Sequence, residues 1–194
     1  MINLTNGKMY LHYFSKVVYL KILKQRRGLD FTGRINSKNA NKNGYEGCYS
    51  PEMILNDIGI SEKDSILDVG CGKGLFLYYA TKYNFCRIDG IEYNDALVAI
   101  ARRNVKIMND KRIRIYHTDA REFRLYGRYN YFFVNNPFGK DEMETFVGLL
   151  VDSFKRHKNR LTVIYQFPFR RDIFERYGFV EKYYKFPNLV LTLE

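Results

Sequence analysis

Residues 66–75 read Ile-Leu-Asp-Val-Gly-Cys-Gly-Lys-Gly-Leu, an order that few folds accommodate. An apolar run (Ile66, Leu67, Val69) stops at Gly70, Gly72 and Gly74, spaced by single residues, and a helical pattern starts at Leu75. A buried strand that turns on glycine into a helix leaves bare backbone N–H groups facing outward. A small ligand can then come closer than any Cβ would allow. Asp68 lies near the carboxyl end of that strand, on the edge where open α/β sheets take their ligands.

The rest of the chain reads as strands alternating with helices. A helix is predicted over 9–25, with Leu11, Phe14, Val18 and Ile22 on one face and Lys16, Lys24 and Arg27 opposite. Residues 30–47, rich in Asn, Gly and Lys, read as a mobile loop. Ser50 and Pro51 read as the N-cap and first turn of a helix to about Asp57, stopped by Gly59. Strands follow at 65–69, 86–92, 112–117, 131–134 and 161–165, with helices at 75–82, 95–108, 141–154 and 170–177. The 95–108 helix is expected to bury Leu97, Ile100, Ala101 and Ile107. Alternation of this kind implies a parallel sheet with right-handed crossovers. Strands at 179–186 and 189–193 have no helix between them and should pair as an antiparallel hairpin.

The strand ends carry the chemistry. Strand one ends at Asp68 and the glycines, strand two at Glu92, strand three at Thr118-Asp119. Strand four ends at Asn135-Asn136-Pro137-Phe138, and strand five at Gln166-Phe167-Pro168. Parallel strands bring these groups to one crevice. Glu92 follows Asp68 by one helix and one return strand, and a carboxylate there can accept hydrogen bonds from ribose hydroxyls. A dinucleotide-binding turn, G-x-G-x-x-G, would need glycine where Leu75 stands, which disfavours a nicotinamide oxidoreductase. No G-x-x-x-x-G-K-[ST] phosphate loop occurs.

Asp68-x-Gly70-x-Gly72-x-Gly74 instead resembles motif I of the class I S-adenosylmethionine-dependent methyltransferases. The resemblance covers about residues 50–194. It implies an α/β, Rossmann-like, seven-stranded and mostly parallel sheet with an antiparallel C-terminal hairpin, and S-adenosyl-L-methionine as cofactor. Asp68, Gly70, Cys71, Gly72 and Gly74 would line that cofactor. Glu92 would be its ribose acid, with Tyr93 over the adenine and Asp119-Ala120 at the adenine edge. Asn135, Asn136, Pro137 and Phe138 would hold the acceptor, Asn135 also bordering the donor. They resemble the Asn-Pro-Pro-aromatic tetrad of amino-methyltransferases, but depart from it: Asn136 replaces the first proline, or Phe138 and Gly139 replace the second proline and the aromatic. Tyr49, in the segment before the core, would border the methionine half, and residues 30–47 would order as a lid when substrate binds.

Charge marks off the N-terminal segment. The chain has 194 residues, enough for one good core, and a net charge of +11. Residues 1–45 hold nine Lys or Arg and one acid, Asp30, for +8; the remaining 23 bases and 20 acids leave +3. A basic helical N-terminal extension and lid loop (1–49) thus precedes a nearly neutral body (50–194). Such an extension can attract nucleic acid, an anionic glycan or lipid head groups. Cys48, Cys71 and Cys86 show no C-x-x-C spacing, and His12, His117 and His157 stand apart, so no metal site is expected. The apolar run 17–23 is too short for a membrane span and lacks a small-residue cleavage site after it. A reduced, cytoplasmic protein is the simplest expectation.

The expected activity is methyl transfer to nitrogen or oxygen, with a small molecule or sugar-containing metabolite first as acceptor. A nucleic-acid or protein amine guided by the basic segment is the alternative. A non-catalytic S-adenosylmethionine-binding protein is a third reading. The sequence sets no oligomeric state.

Overall fold

The computed structural model describes residues 4–33, 48–157 and 160–194, with side chains from Ser15 onward. Its sheet comprises β1 (Ser65–Val69), β2 (Arg87–Glu92), β3 (Ile113–His117), β4 (Tyr131–Val134), β5 (Leu161–Gln166), β6 (Val180–Lys185) and β7 (Asn188–Leu193). Their spatial order is β3-β2-β1-β4-β5-β7-β6. The first five strands are parallel. β7 inserts antiparallel between β5 and β6. The chain steps outward from β1 to β3 and returns to β4 on the other side of β1. That reversal opens a crevice at the carboxyl ends of β1 and β4.

Side chains alternate between the two sheet faces, as the strand period of two requires. Leu67, Val69, Phe132, Val134, Val163 and Tyr165 face one core, packed by α5 (Lys140–His157) and α6 (Arg171–Arg176). Ile66, Ile88, Phe133, Ile164 and Val190 face the other. There they meet α1 (Leu4–Arg27), α2 (Glu52–Leu55) and α3 (Leu75–Ala80), with Val105 and Met108 of α4 (Asp95–Met108) packed alongside. Every expected helix and strand is present, with ends shifted by a few residues.

Three local expectations change. Helix α1 buries Leu20 and Leu23, whereas Val18 and Ile22 are exposed. The helix is rotated because Lys16 turns inward, its Nζ donating to the Cys48 carbonyl. Ser50 does not cap α2: it sits at φ +40°, Pro51 takes the cap position, and the Ser50 carbonyl accepts from Met53 N at 3.1 Å. In α4 the buried residues are Leu97, Val98, Ala101 and Asn104, so the helix is turned from the expected face and leaves Ile107 exposed.

The segment after α1 is docked. Leu29 and Phe31 are buried in the same core as Leu20, Leu23 and Ile66. The expected mobile lid therefore does not begin at residue 30; its remainder, 34–47, including Tyr45, lies outside the described residues. No helix among the described residues is long and apolar enough to cross a membrane.

Candidate functional site

The glycine turn is built by hydrogen bonds from its own neighbours. Gly70 N and Cys71 N both donate to the Ile91 carbonyl, at 3.0 and 2.9 Å, which fixes the turn against the end of β2. Gly70 has φ +76°, and a Cβ there would stand 2.9 Å from Cβ of Pro137. Glycine at 70 is thus required twice, by conformation and by the approach of the β4 loop. Gly74, at φ +81°, caps α3.

Glu92 closes the turn from the side. Its Oε2 accepts from Gly72 N at 3.0 Å, and its Oε1 from Tyr93 N and Asn94 N at 2.9 Å each. A carboxylate offers about four lone-pair directions, so one, on Oε2, is left for a hydroxyl. Burial raises the Glu92 pKa against the opposing pull of those three N–H groups. Asp68 is 3% exposed and makes no side-chain hydrogen bond to the described residues. Burial and then the nearby Glu92 charge hold its pKa well above the ordinary carboxylate value. Two desolvated acids side by side favour a cation between or beside them.

At the end of β3, Asp119 is held by Arg121. Oδ1 accepts from Arg121 N (2.8 Å) and Nε (2.9 Å), and Oδ2 from Nη2 (2.6 Å). The Arg121 partnership lowers its pKa. One lone-pair direction on Oδ2 remains for a donor such as an amine. Ala120 is buried, and Tyr93 is exposed at the mouth. His117 turns away from β4, with Nε2 3.0 Å from the Tyr93 carbonyl and 3.2 Å from Asp95 Oδ1.

Beyond β4, Asn136 adopts φ +51°. Its Oδ1 accepts from the Tyr165 hydroxyl at 3.0 Å, and that hydroxyl accepts from Arg170 N at 3.2 Å. This relay fixes which way the Asn136 amide points. Asn135 and Pro137 are half-buried beside it. Phe138 is also half-buried, its ring 5.5 Å from Phe146 in the core. Tyr49 is tied to the same edge: Gln166, 0% exposed, accepts from Tyr49 N and donates to the Tyr49 carbonyl at 2.7 Å. The Gln166 amide thus pairs with residue 49 as a neighbouring strand would.

Further positions support the turn, and sequence reasoning missed them. A Cβ on Gly90 would lie 2.8 Å from both Cβ and Sγ of Cys71, so the bare backbone of β2 is what lets Cys71 pack. A glycine inside a strand pattern was the available signal. Asn104, 0% exposed, accepts from Asp30 N (2.9 Å) and donates to the carbonyls of Asp30 (3.0 Å) and Lys73 (2.9 Å). Lys73 itself reaches back, its Nζ donating to the Thr32 carbonyl and lying 3.8 Å from Asp30 Oδ1. The segment after α1 therefore braces the glycine turn from behind. An amide on the apolar stripe of α4 was the sign.

Comparison with known proteins follows the geometry. Residues 66–151 match a family model described as a methyltransferase domain. No curated protein matches the sequence significantly. Among solved structures, an S-adenosylmethionine-dependent methyltransferase from Aquifex aeolicus aligns over 74% of this chain and 89% of its own, with TM-score 0.57 and 19% identity. The human methyltransferase 10 domain containing protein aligns over 93% and 96%, with TM-score 0.57 and 13% identity. An rRNA methylase from Streptococcus thermophilus aligns over 70% and 88%, with TM-score 0.50 and 13% identity.

Proposed function

We propose that this chain is a class I S-adenosylmethionine-dependent methyltransferase, a reading supported by the methyltransferase-domain match over residues 66–151 and by the fold, and that it moves the methyl group onto a nitrogen presented at Asn136. The observation that carries the reading is the Arg170–Tyr165–Asn136 relay, which fixes the Asn136 amide just beyond the carboxyl end of β4.

The donor fits the residues around the turn. S-adenosylmethionine supplies an activated methyl group on a sulfonium, and it carries net positive charge. Asp68 and Glu92 offer that cation two desolvated carboxylates, one of them with no hydrogen bond to the described residues. Gly70, Cys71, Gly72 and Gly74 give the close backbone approach. Glu92 keeps one acceptor direction for ribose and Asp119 one for the adenine amine, with Tyr93 and Ala120 beside it. Tyr49, held by Gln166, and Asn135 would border the methionine half. Positioning of this kind can supply on the order of 7–11 kcal/mol of barrier lowering.

Nitrogen is favoured over a sugar hydroxyl because the latter needs a base. His117 is engaged with Tyr93 and Asp95, and His157 with the Ser153 carbonyl at 2.9 Å. Burial lifts the Tyr165 hydroxyl to about 12, so it stays protonated near neutrality and offers no base. The second lone pair of Asn136 Oδ1 can instead hold a neutral amine. The bound donor would supply its methyl group to that nitrogen and keep the sulfur–carbon electron pair, and the amine's surplus proton would pass to water.

The division into a basic segment, 1–49, and a catalytic body, 50–194, we retain as a functional proposal, since the two share one core. The test is incubation with tritiated donor and a cell extract fractionated into RNA, protein, glycan and small molecules. Label on nitrogen is the expected result. Label confined to oxygen, or none despite tight S-adenosylhomocysteine binding, would refute it.

A further inference from the structure

Beside the Asn136 relay the surface turns aromatic. Phe169 is 71% exposed and Phe186 60% exposed. Both flank Phe167, a bulky residue held at φ +52°. A left-handed phenylalanine is a backbone outlier that the surroundings must enforce. Here two bonds do so: Phe167 N donates to the Pro187 carbonyl at 2.8 Å, and Phe169 N to the Phe167 carbonyl at 2.7 Å. The Phe167 ring meets Phe186 edge-on at 6.1 Å and Tyr49 at 6.5 Å. The result is a shelf running from Tyr49 past Phe167 to Phe186, with Phe169 projecting next to it.

The charge beside the shelf is positive. The Arg170 guanidinium makes no hydrogen bond or ion pair with the described residues, although its backbone N–H joins the relay to Asn136. The nearby acids are committed elsewhere: Glu175 and Glu181 to Arg171, and Asp172 to Arg176. At the other end, Lys16 lies over the Tyr49 ring at 5.8 Å. Residues 1–45 hold +8 of the net +11. One phosphate would engage Arg170 alone; a polyanion also answers the chain's net charge of +11. Exposed aromatic rings beside an arginine, on a strongly basic chain, suit unpaired bases, which bind by stacking.

We propose that this shelf binds the acceptor as single-stranded nucleic acid, with unpaired bases stacked on Phe169 and Phe186, a backbone phosphate at Arg170, and a base amine reaching Asn136. The assignment rests on the methyl-transfer reading and names its substrate class. It favours the nucleic-acid alternative over a sugar-containing metabolite, because the exposed groups at the shelf are two aromatic rings beside an arginine.

The experiment is fluorescence anisotropy of a labelled single-stranded RNA of about 15 nucleotides with the full chain, S-adenosylhomocysteine present. The double variant Phe169→Ala/Phe186→Ala should bind at least roughly tenfold more weakly. Arg170→Gln should lower the slope of log K against log salt by about one. The same sequence as a duplex should bind more weakly than the single strand. Melting temperature and S-adenosylhomocysteine affinity, measured by calorimetry, should match the parent in both variants, showing that the shelf alone was altered. Unchanged RNA binding in the double variant, or equal affinity for duplex and single strand, overturns the shelf and leaves methyl transfer standing. Failure of the parent to bind S-adenosylhomocysteine overturns the premise and the shelf together.

Discussion

Replacing Asp68 by Asn should push stability and cofactor affinity in opposite directions. The carboxylate is 3% exposed, makes no hydrogen bond to the described residues, and faces the charge of Glu92. Its native pKa is therefore raised, so the folded state holds that proton more tightly than the unfolded chain. The sign follows: this group favours folding as pH falls from its raised value toward the ordinary 3.8, and ionised Asp68 costs stability at neutral pH. An amide of the same shape removes the buried charge, so the cofactor-free variant should melt higher. The bound donor, a cation, loses one charge-assisted partner worth about 1.5–3 kcal/mol. That corresponds to affinity about 10- to 150-fold weaker. Thermal melts without ligand and titration calorimetry with S-adenosylmethionine near pH 7.5 read the two effects. Parent affinity should also decline as pH is lowered through the raised pKa values of Asp68 and Glu92, and the variant should show a shallower decline. A variant that melts lower and binds as tightly as the parent would refute both the burial argument and the cation match.

Three further outcomes are expected. Gly90→Ala puts a methyl 2.8 Å from Cys71; overpacking should cost about 1–3 kcal/mol and weaken S-adenosylhomocysteine binding, and a normal urea midpoint with normal affinity would contradict this. Asn104→Ala strands three backbone groups around Asp30 and Lys73; it should cost about 2–3 kcal/mol and speed tryptic cleavage near Arg26 and Arg27, and parent-like cleavage would exclude a brace. Tyr165→Phe removes the hydroxyl between Arg170 N and Asn136; kcat should fall by about tenfold, or about 1.4 kcal/mol, with donor affinity and the pH profile unchanged, and a shifted pH optimum would make Tyr165 a base and not a positioning residue.

The sheet was legible because its signals are local. Alternation of strand and helix patterns implied the parallel run, and the missing helix between the last two strands implied the hairpin that β7 and β6 form. The turn after β1 was legible because only glycine tolerates its backbone. Rotational settings were not. Lys16 and Asn104 each break an apolar stripe, and in both cases the polar residue is the one turned inward, because a carbonyl in the segment after α1 or just before α2 accepts a hydrogen bond from it. Those partners lie 32 and 74 residues away in sequence, beyond any periodicity argument. The strand-end acids were found by position, but their occupancy was not: Arg121 on Asp119 and the three N–H groups on Glu92 depend on local turns whose geometry a one-dimensional pattern does not carry. Gly90 was passed over because its meaning lies across the strand, in Cys71.

The cysteines are free, and their settings differ. Burial pushes the Cys48 thiol up to about 12 and lifts that of Cys71 well above its usual value, while Cys86 is exposed before β2, at the sheet edge opposite the crevice. A maleimide dye applied to the native protein should therefore attach at position 86 alone. The molecule thus carries a ready-made handle for fluorophores or surface immobilisation, one that leaves the ligand-bearing rim unmodified and dispenses with any cysteine-free background.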